Sequence, residues 1–326
     1  MADNVLASVV FTVYNQEGYV REALSSALAQ DYEPLEIVVS DDGSTDGTRD
    51  IIEYMVRAYR GPHRISVNFN ASNRGVCGNF EYAFGLTHGE LVFSFGGDDI
   101  STPDRISSVM RVWIAGGRRA KVLACGGWLM DVAGRNYSVY GREVMNGAPV
   151  GAFNAYDRCV FDDFPRIRPE FIRQAYEDSI YGYRAQLYAP AEFVDRQLVR
   201  YRFGSGVSTG GDWRKKAVRG SAAIKASCEQ LLLDLVAFPP GADALRKDGC
   251  RRELARALDH ENDYLSLLQG KTLAARWRGY LGCRREALSW RQRLTNAVLL
   301  LPSPIVDWCW NFGCRIVRSF ARSAVR

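Results

Sequence analysis

Four short apolar runs punctuate the first hundred residues, and each stops at a polar tip. LASVVFTV (6–13), LEIVVS (35–40), RISVNFN (64–70) and ELVFSF (90–95) read as strands. The unbroken apolar character of the first two is that of strands covered on both faces. Between them, GYVREALSSALAQ (18–30) places Val20, Leu24, Ala27 and Leu28 at helical spacing. STDGTRDIIEYMVRAY supplies Ser, Thr and Asp to cap a second helix, and NFEYAFGLT (79–87) reads as a third. Strands alternating with helices predict a doubly wound, mostly parallel α/β sheet flanked by helices.

The pattern loosens from residue 121. KVLACGGWLMDV and NYSVYG read as less regular strands, followed by a Gly/Asn/Pro-rich loop at 145–156. RPEFIRQAYEDSIYGYRAQLYA (168–189) predicts a helix and EFVDRQLVRYRF (192–203) a strand pair. After GSGVSTGGDW the chain is helical in pattern to its end, with no internal repeat or low-complexity tract.

Composition narrows the class. At 47% hydrophobic and 24% charged the chain is that of an ordinary soluble protein. No run approaches the roughly 18 apolar residues of a spanning helix, and no leader-like segment opens the chain. The expected location is cytoplasmic, or peripheral on the cytoplasmic face of the inner membrane. Eight cysteines are scattered with no Cys-x-x-Cys pair, and only His63, His88 and His260 could join them, so a zinc centre is not expected. Charge is unevenly spread: from Lys271 onward stand eleven basic residues against Glu286 and Asp307, leaving a mildly acidic body.

The strand tips carry the candidate chemistry. They read Tyr14-Asn15-Gln16-Glu17, Asp41-Asp42-Gly43-Ser44 and Gly97-Asp98-Asp99, and ligands of open α/β sheets bind just beyond such carboxyl ends. Adjacent carboxylates repel, and burying them unpaired costs on the order of several kcal/mol. Asp98-Asp99 alone fits either a cap for the helix beginning near TPDRISSVM or a divalent-cation site. A second acidic tip at Asp41-Asp42 favours a cation or a donor-rich ligand. A nucleotide is such a ligand, its base offering N–H groups to Asp41-Asp42 and its diphosphate needing a metal beside Asp98-Asp99. There is no Gly-x-x-x-x-Gly-Lys-[Ser/Thr] and no Gly-x-Gly-x-x-Gly after the first strand, which weakens kinase, GTPase and dinucleotide readings. A nucleotidyltransferase would need a basic glycine-rich loop where VYNQEGYV stands.

SVVFTVYNQEGYVREALSSALAQDYEPLEIVVSDDGSTDGT, followed by NRGVCGNFEYAFGLTHGELVFSFGGDD, resembles family 2 of the inverting glycosyltransferases in order, spacing and residue type over about residues 6–110. The resemblance implies a GT-A fold, a nucleotide-sugar donor and Mn²⁺ or Mg²⁺. It implies a domain over 1–215, with a nucleotide-sugar-binding half (1–110) and an acceptor-binding half (111–215), and a helical C-terminal extension over 216–326. On this pattern Thr12, Tyr14, Glu17, Asp41, Asp42, Asn73, Arg74 and Asp98 face the nucleotide-sugar, and Asp99 is the direct metal ligand. Many members carry a further Asp where this chain has Gly96. The Glu-Asp pair of the pattern falls on Glu177-Asp178, with Asp178 as the general base and Arg184 six residues on. Gly204 stands where the pattern has His, which leaves Arg202 to meet the diphosphate. Phe153 and Tyr156 suit a wall against an acceptor sugar. The processive Gln-x-x-Arg-Trp motif is missing, so one sugar per encounter is expected.

The resemblance thus implies a metal-dependent inverting hexosyltransferase acting on a glycan or lipid-linked glycan, in cell-surface polysaccharide synthesis. The alternative from another class is a catalytically silent nucleotide-sugar-binding scaffold at the membrane. SPIVDWCWNFGCRIVRSFARSAVR (303–326) puts Ile305, Cys309, Phe312, Ile316 and Phe320 at helical spacing, with Arg315, Arg318 and Arg322 on another face. This predicts a basic amphipathic helix for peripheral contact with anionic lipid, the alternative being packing on protein. No recognition motif accompanies the charge, and nucleic acid is not an expected partner.

Overall fold

The computed structural model describes residues 5–141, 151–204, 213–237 and 244–269 of the chain. Strands β1 (Ala7–Val13), β2 (Leu35–Asp41), β3 (Arg64–Phe69) and β4 (Leu91–Gly96) alternate with helices α1 (Val20–Leu28), α2 (Thr48–Ala58) and α3 (Val76–Phe84). Then come β5 (Ile100–Ser101), α4 (Arg105–Ala115), β6 (Val122–Met130), β7 (Asn136–Tyr140) and β8 (Asn154–Asp157). The short helices α5 (Cys159–Asp162) and α6 (Pro169–Ile172) precede α7 (Glu177–Gln186) and β9 (Glu192–Arg202). Helices α8 (Trp213–Asp234) and α9 (Ala244–Gln269) close the described chain.

The strands form one sheet in the order β3-β2-β1-β4-β8-β6-β9-β5, with β7 paired to β6. β3, β2, β1 and β4 run parallel, as the apolar runs require: Val9, Val10 and Phe11 of β1 and Ile37 and Val39 of β2 are fully buried. Helices cover both faces, since a two-faced apolar strand has no side for water. The doubly wound, parallel-dominated α/β sheet expected of the sequence is present, with helices following it. The later strands mix directions, β8 lying antiparallel between β4 and β6 while β9 runs parallel to β6.

Three local expectations are corrected. The 192–203 segment is one strand, β9, whose pairing with β6 shifts register at Cys125–Gly127. The 168–189 segment is broken between α6 and α7. Phe153 and Tyr156 are 2% and 0% exposed. Phe153 stacks on Tyr140 with ring centroids 4.8 Å apart, and Tyr156 packs against Phe80 and Tyr181. Both are core residues and present no wall to a sugar. Loop residues 145–150 and the basic segment from Lys271 lie outside the described residues.

The chain divides into two compact units, Met1–Gly211 with Ala226–Leu254, and Asp212–Lys225 with Ala255–Arg326. In the second, the Ser221 hydroxyl donates to the Glu261 carboxylate. In the first, Arg184 of α7 meets Asp234 of α8 through Nε at 2.8 Å and Nη2 at 3.1 Å, with side chains 1% and 0% exposed. Arg184 also donates to the carbonyls of Val160 and Pro165. Removing one partner of such a pair strands a charge in low dielectric. Asp234→Asn is therefore expected to cost about 3 kcal/mol in a urea melt; a change below 1 kcal/mol would show that the pair does not hold α8 in place. No helix among the described residues is long and apolar enough to cross a membrane.

Candidate active site

Thr12 on β1 is in register with both Ser40 of β2 and Gly96 of β4, so the three strands release their loops side by side. The loop after β1 and the loop after β2 are laced together. Ser44 Oγ accepts from Asn15 N at 2.8 Å and Asn15 Oδ1 from Thr45 N at 2.8 Å, while Thr48 Oγ1 accepts from Gln16 N at 2.8 Å. Glu17 Oε2 accepts from Gly47 N at 2.7 Å. Asn15 holds φ at 49°, a left-handed turn that Asn tolerates. Tyr14 stands beside this lacing, 38% exposed, and Thr12 is half-buried with its carbonyl bonded to Gly97 N at 2.9 Å.

Both acids of the second tip are buried, and both organise backbone. Asp41 accepts from Ser44 N at 3.0 Å and bonds the Ser44 hydroxyl. Asp42 Oδ1 accepts from Arg74 N at 2.8 Å and Asn70 Nδ2 at 3.0 Å, and Oδ2 from Gly75 N at 3.0 Å. Burial pushes the Asp42 carboxyl up, and these donors oppose the shift. Asp42 thus draws the Asn73-Arg74-Gly75 loop onto the strand tips, and Oδ2 retains a lone pair for one further donor. Asn73 and Arg74 are exposed; the Asn73 carbonyl accepts from Arg173 at 3.1 Å and the Arg74 guanidinium lies 4.4 Å from the Tyr82 ring centroid.

At the third tip, a Cβ placed on Gly96 would stand 3.0 Å from Asp99 Oδ2 and 3.2 Å from Asp98 Oδ1. Each of the two carboxylates therefore has an oxygen beside the space that the missing side chain of Gly96 leaves. Asp99 is 8% exposed, and burial with the Asp98 charge behind it holds its carboxyl well above the ordinary range. The helix-cap alternative fails: α4 starts at Arg105 with Asp104 as its flanking residue, and β5 intervenes. Asp99 Oδ1 instead accepts from Arg202 N at 2.8 Å. Among the described residues no three His, Cys, Asp or Glu cluster as a cation site. Two hard oxygen donors so placed suit Mn²⁺ or Mg²⁺ whose remaining positions are filled from a ligand or water.

Arg202 is corrected as a diphosphate contact. It is 4% exposed and directs its guanidinium to protein acceptors. Arg105, 1% exposed, lies behind the same tip, donating to Ser101 Oγ and the Ser94 carbonyl. Neither buried arginine's part was legible from periodicity, since both look like ordinary helix-start and strand-end charges.

The Glu177-Asp178 pair opens α7. Asp178 Oδ2 accepts from Gly151 N at 3.0 Å and Oδ1 from Ser179 N at 2.7 Å. A Cβ on Gly151 would stand 2.9 Å from Glu177 Oε1, so glycine lets the backbone reach the pair. Burial raises both carboxyls, Glu177 to about 8 with the Asp178 charge adding to it. Asp178 has two peptide donors against that shift, and these hydrogen bonds favour its ionised form. α7 packs against α3, which places the pair near the helix that follows the Asn73–Gly75 loop.

Residues 8–133 match the family described as Glycosyl transferase family 2. An uncharacterized glycosyltransferase of Nostoc sp. is 36% identical over 106 residues, 32% of this chain and 32% of its own length. One of Haemophilus influenzae is 29% identical over 142 residues, 44% of this chain and 42% of its own. The matched region thus spans about a third to two fifths of these relatives. Among solved structures, S. aureus TarS 1-349 in complex with UDP aligns with a TM-score of 0.55 at 18% identity, covering 88% of this chain and 91% of that one. The mannosyltransferase PcManGT from Pyrobaculum calidifontis, in complex with GDP-Man and Mn²⁺, aligns with a TM-score of 0.55 at 16% identity, covering 93% and 82%. At these identities the likeness is one of fold, and that fold is GT-A.

Proposed function

Through residues 8–133 this chain belongs to glycosyl transferase family 2, and on that premise we propose that it is a metal-dependent inverting glycosyltransferase. It moves one sugar, a hexose by expectation, from a nucleotide-sugar donor to a glycan or lipid-linked glycan, in cell-surface polysaccharide synthesis. The observation that carries the reading is the placement of Asp98 Oδ1 and Asp99 Oδ2 together beside the space that Gly96 leaves. Like charges so arranged are costly without a cation.

Asp98 and Asp99 would hold Mn²⁺ or Mg²⁺, with Asp99 the direct ligand; when bound, such an ion neutralises charge on a departing diphosphate. Thr12, Tyr14, Asp41 and Asp42 border the base and ribose, Tyr14 by its exposed ring and Asp42 by its remaining lone pair. Glu17 acts by fastening the loop that carries Tyr14, and Asn73 and Arg74 bring the third loop against the nucleotide. Asp178, ionised and steadied by Gly151 and Ser179, takes the proton of the acceptor hydroxyl on the face away from the diphosphate, which is the requirement of inversion. Contact of the basic segment at 303–326 with the cytoplasmic face of a membrane would bring a lipid-linked acceptor to the crevice.

The test is calorimetric titration with UDP, GDP and dTDP, each with Mn²⁺ and with EDTA. One nucleotide is expected to bind, and only with the metal. Absence of binding by all three in Mn²⁺ overturns the reading.

A further inference from the structure

At the end of β9 the chain places one buried guanidinium against three separate segments. Arg202 Nε donates to the Asp98 carbonyl at 3.0 Å, Nη1 to the carbonyls of Asp131 and Val132 at 3.3 and 3.1 Å, and Nη2 to Glu22 Oε2 at 3.0 Å. Its plane lies 4.7 Å from the Tyr19 ring centroid. The same residue's backbone N donates to Asp99 Oδ1 at 2.8 Å. One residue therefore holds Asp98 by its side chain and Asp99 by its main chain.

We propose that Arg202 is a positioning residue for the divalent cation, setting the Asp98-Asp99 loop by bonds to both residues; this rests on the metal-dependent reading above. A guanidinium presents five donors in a rigid plane, and the directions from Nε, Nη1 and Nη2 are fixed relative to one another. Anchored by the turn at 131–132, by Glu22 on α1 and by the Tyr19 ring, that plane leaves the Asp98 carbonyl one place to sit. With the carbonyl of Asp98 fixed and Asp99 Oδ1 engaged, Asp99 Oδ2 is the oxygen left beside Gly96, where Asp98 Oδ1 also lies. Outer partners that fix ligand orientation typically contribute 10–100-fold to metal affinity. A lysine keeps the charge but not the plane, and reaches fewer of these acceptors. Glu22, 58% exposed, anchors the far end in water and contributes less.

The experiment measures Mn²⁺ binding from the resonance of the free ion, at saturating concentration of whichever nucleotide the wild type binds, with nucleotide affinity measured separately at saturating Mn²⁺. In Arg202→Lys the half-saturating Mn²⁺ concentration is expected to rise about tenfold, while nucleotide affinity stays within about twofold and the melting temperature shows a folded protein. Arg202→Ala is expected to rise further, and Glu22→Gln less than threefold. Folded Arg202→Lys that binds Mn²⁺ as the wild type does overturns the proposal. Arg202→Lys that loses nucleotide affinity in the same proportion as metal affinity also overturns it, because the defect is then a general one. Wild-type protein that binds nucleotide with no need of Mn²⁺ overturns the metal-dependent reading itself, an outcome seen before any variant is compared.

Discussion

Asp178→Asn is expected to lower turnover by roughly 10²–10⁴-fold, the contribution of a positioned general base, while nucleotide affinity with metal stays within about twofold. The one amide oxygen can still accept from Gly151 N, so the 3-10 turn at Gly151–Phe153 retains its anchor, while the bond from Ser179 N is lost together with the ability to take a proton. The pH profile separates the two acids of the pair. Asp178 is raised above the ordinary carboxylate range by burial, so the base form is lost as pH falls through that raised value, and turnover should show an acidic limb there. Glu177, held up to about 8, is neutral across that limb, and Glu177→Gln mimics its neutral form. The profiles of wild type and Glu177→Gln should coincide below about pH 8 and separate only above it. A Glu177→Gln protein that is dead where Asp178→Asn turns over would exchange the roles. Full activity in Asp178→Asn would take both acids out of the reaction, and nucleotide binding without turnover in the wild type would leave a binding scaffold.

The parts of the site legible in the sequence are those whose chemistry is local. Continuous apolar runs that stop at polar residues read as buried strands, and β1, β2 and β4 end where the polarity changes, at Val13, Asp41 and Gly96. The acidic tips could be paired on paper because a parallel doubly wound sheet brings carboxyl ends to one edge. What the sequence could not supply is the direction of a side chain in the second half, where strands mix parallel and antiparallel neighbours. Phe153 and Tyr156, in a segment rich in glycine and proline, looked like loop aromatics; an antiparallel insertion of β8 between β4 and β6 buries them instead. Arg184 and Arg202 carry no periodicity that marks them as buried. Their partners Asp234 and Glu22 lie 50 and 180 residues away, and nothing short of the folded chain puts them together. Gly96 shows the same limit from the other side. Read along the chain it is a missing carboxylate, whereas in the fold it is the opening beside which two carboxylates lie.

Asp99→Asn should separate stability from function in opposite directions. The change is nearly isosteric, and the side-chain oxygen can still accept from Arg202 N, so the loop keeps its hydrogen bond. It removes a buried negative charge that stands against Asp98 and is desolvated, the two causes that hold the Asp99 carboxyl well above its usual range. In the metal-free protein that charge is a cost, and its removal should leave the melting temperature unchanged or raise it; catalytic sites commonly sit below their stability optimum in this way. With metal the balance reverses. A hard cation draws its affinity from anionic oxygen, and losing a direct carboxylate should cost more than the roughly 100-fold upper range for an outer partner. Mn²⁺ should then fail to stabilise Asp99→Asn against heat at concentrations that raise the wild-type melting point, because a ligand stabilises only the state it binds. The decisive measurement is a pair of melts for each protein, in EDTA and in Mn²⁺ with nucleotide. Equal Mn²⁺ shifts in both proteins would remove Asp99 from the metal site. A variant melting well below the wild type in EDTA would mean that the Asp98-Asp99 pair is held for the fold, with the charge stabilised by Arg105 and Arg202 alone.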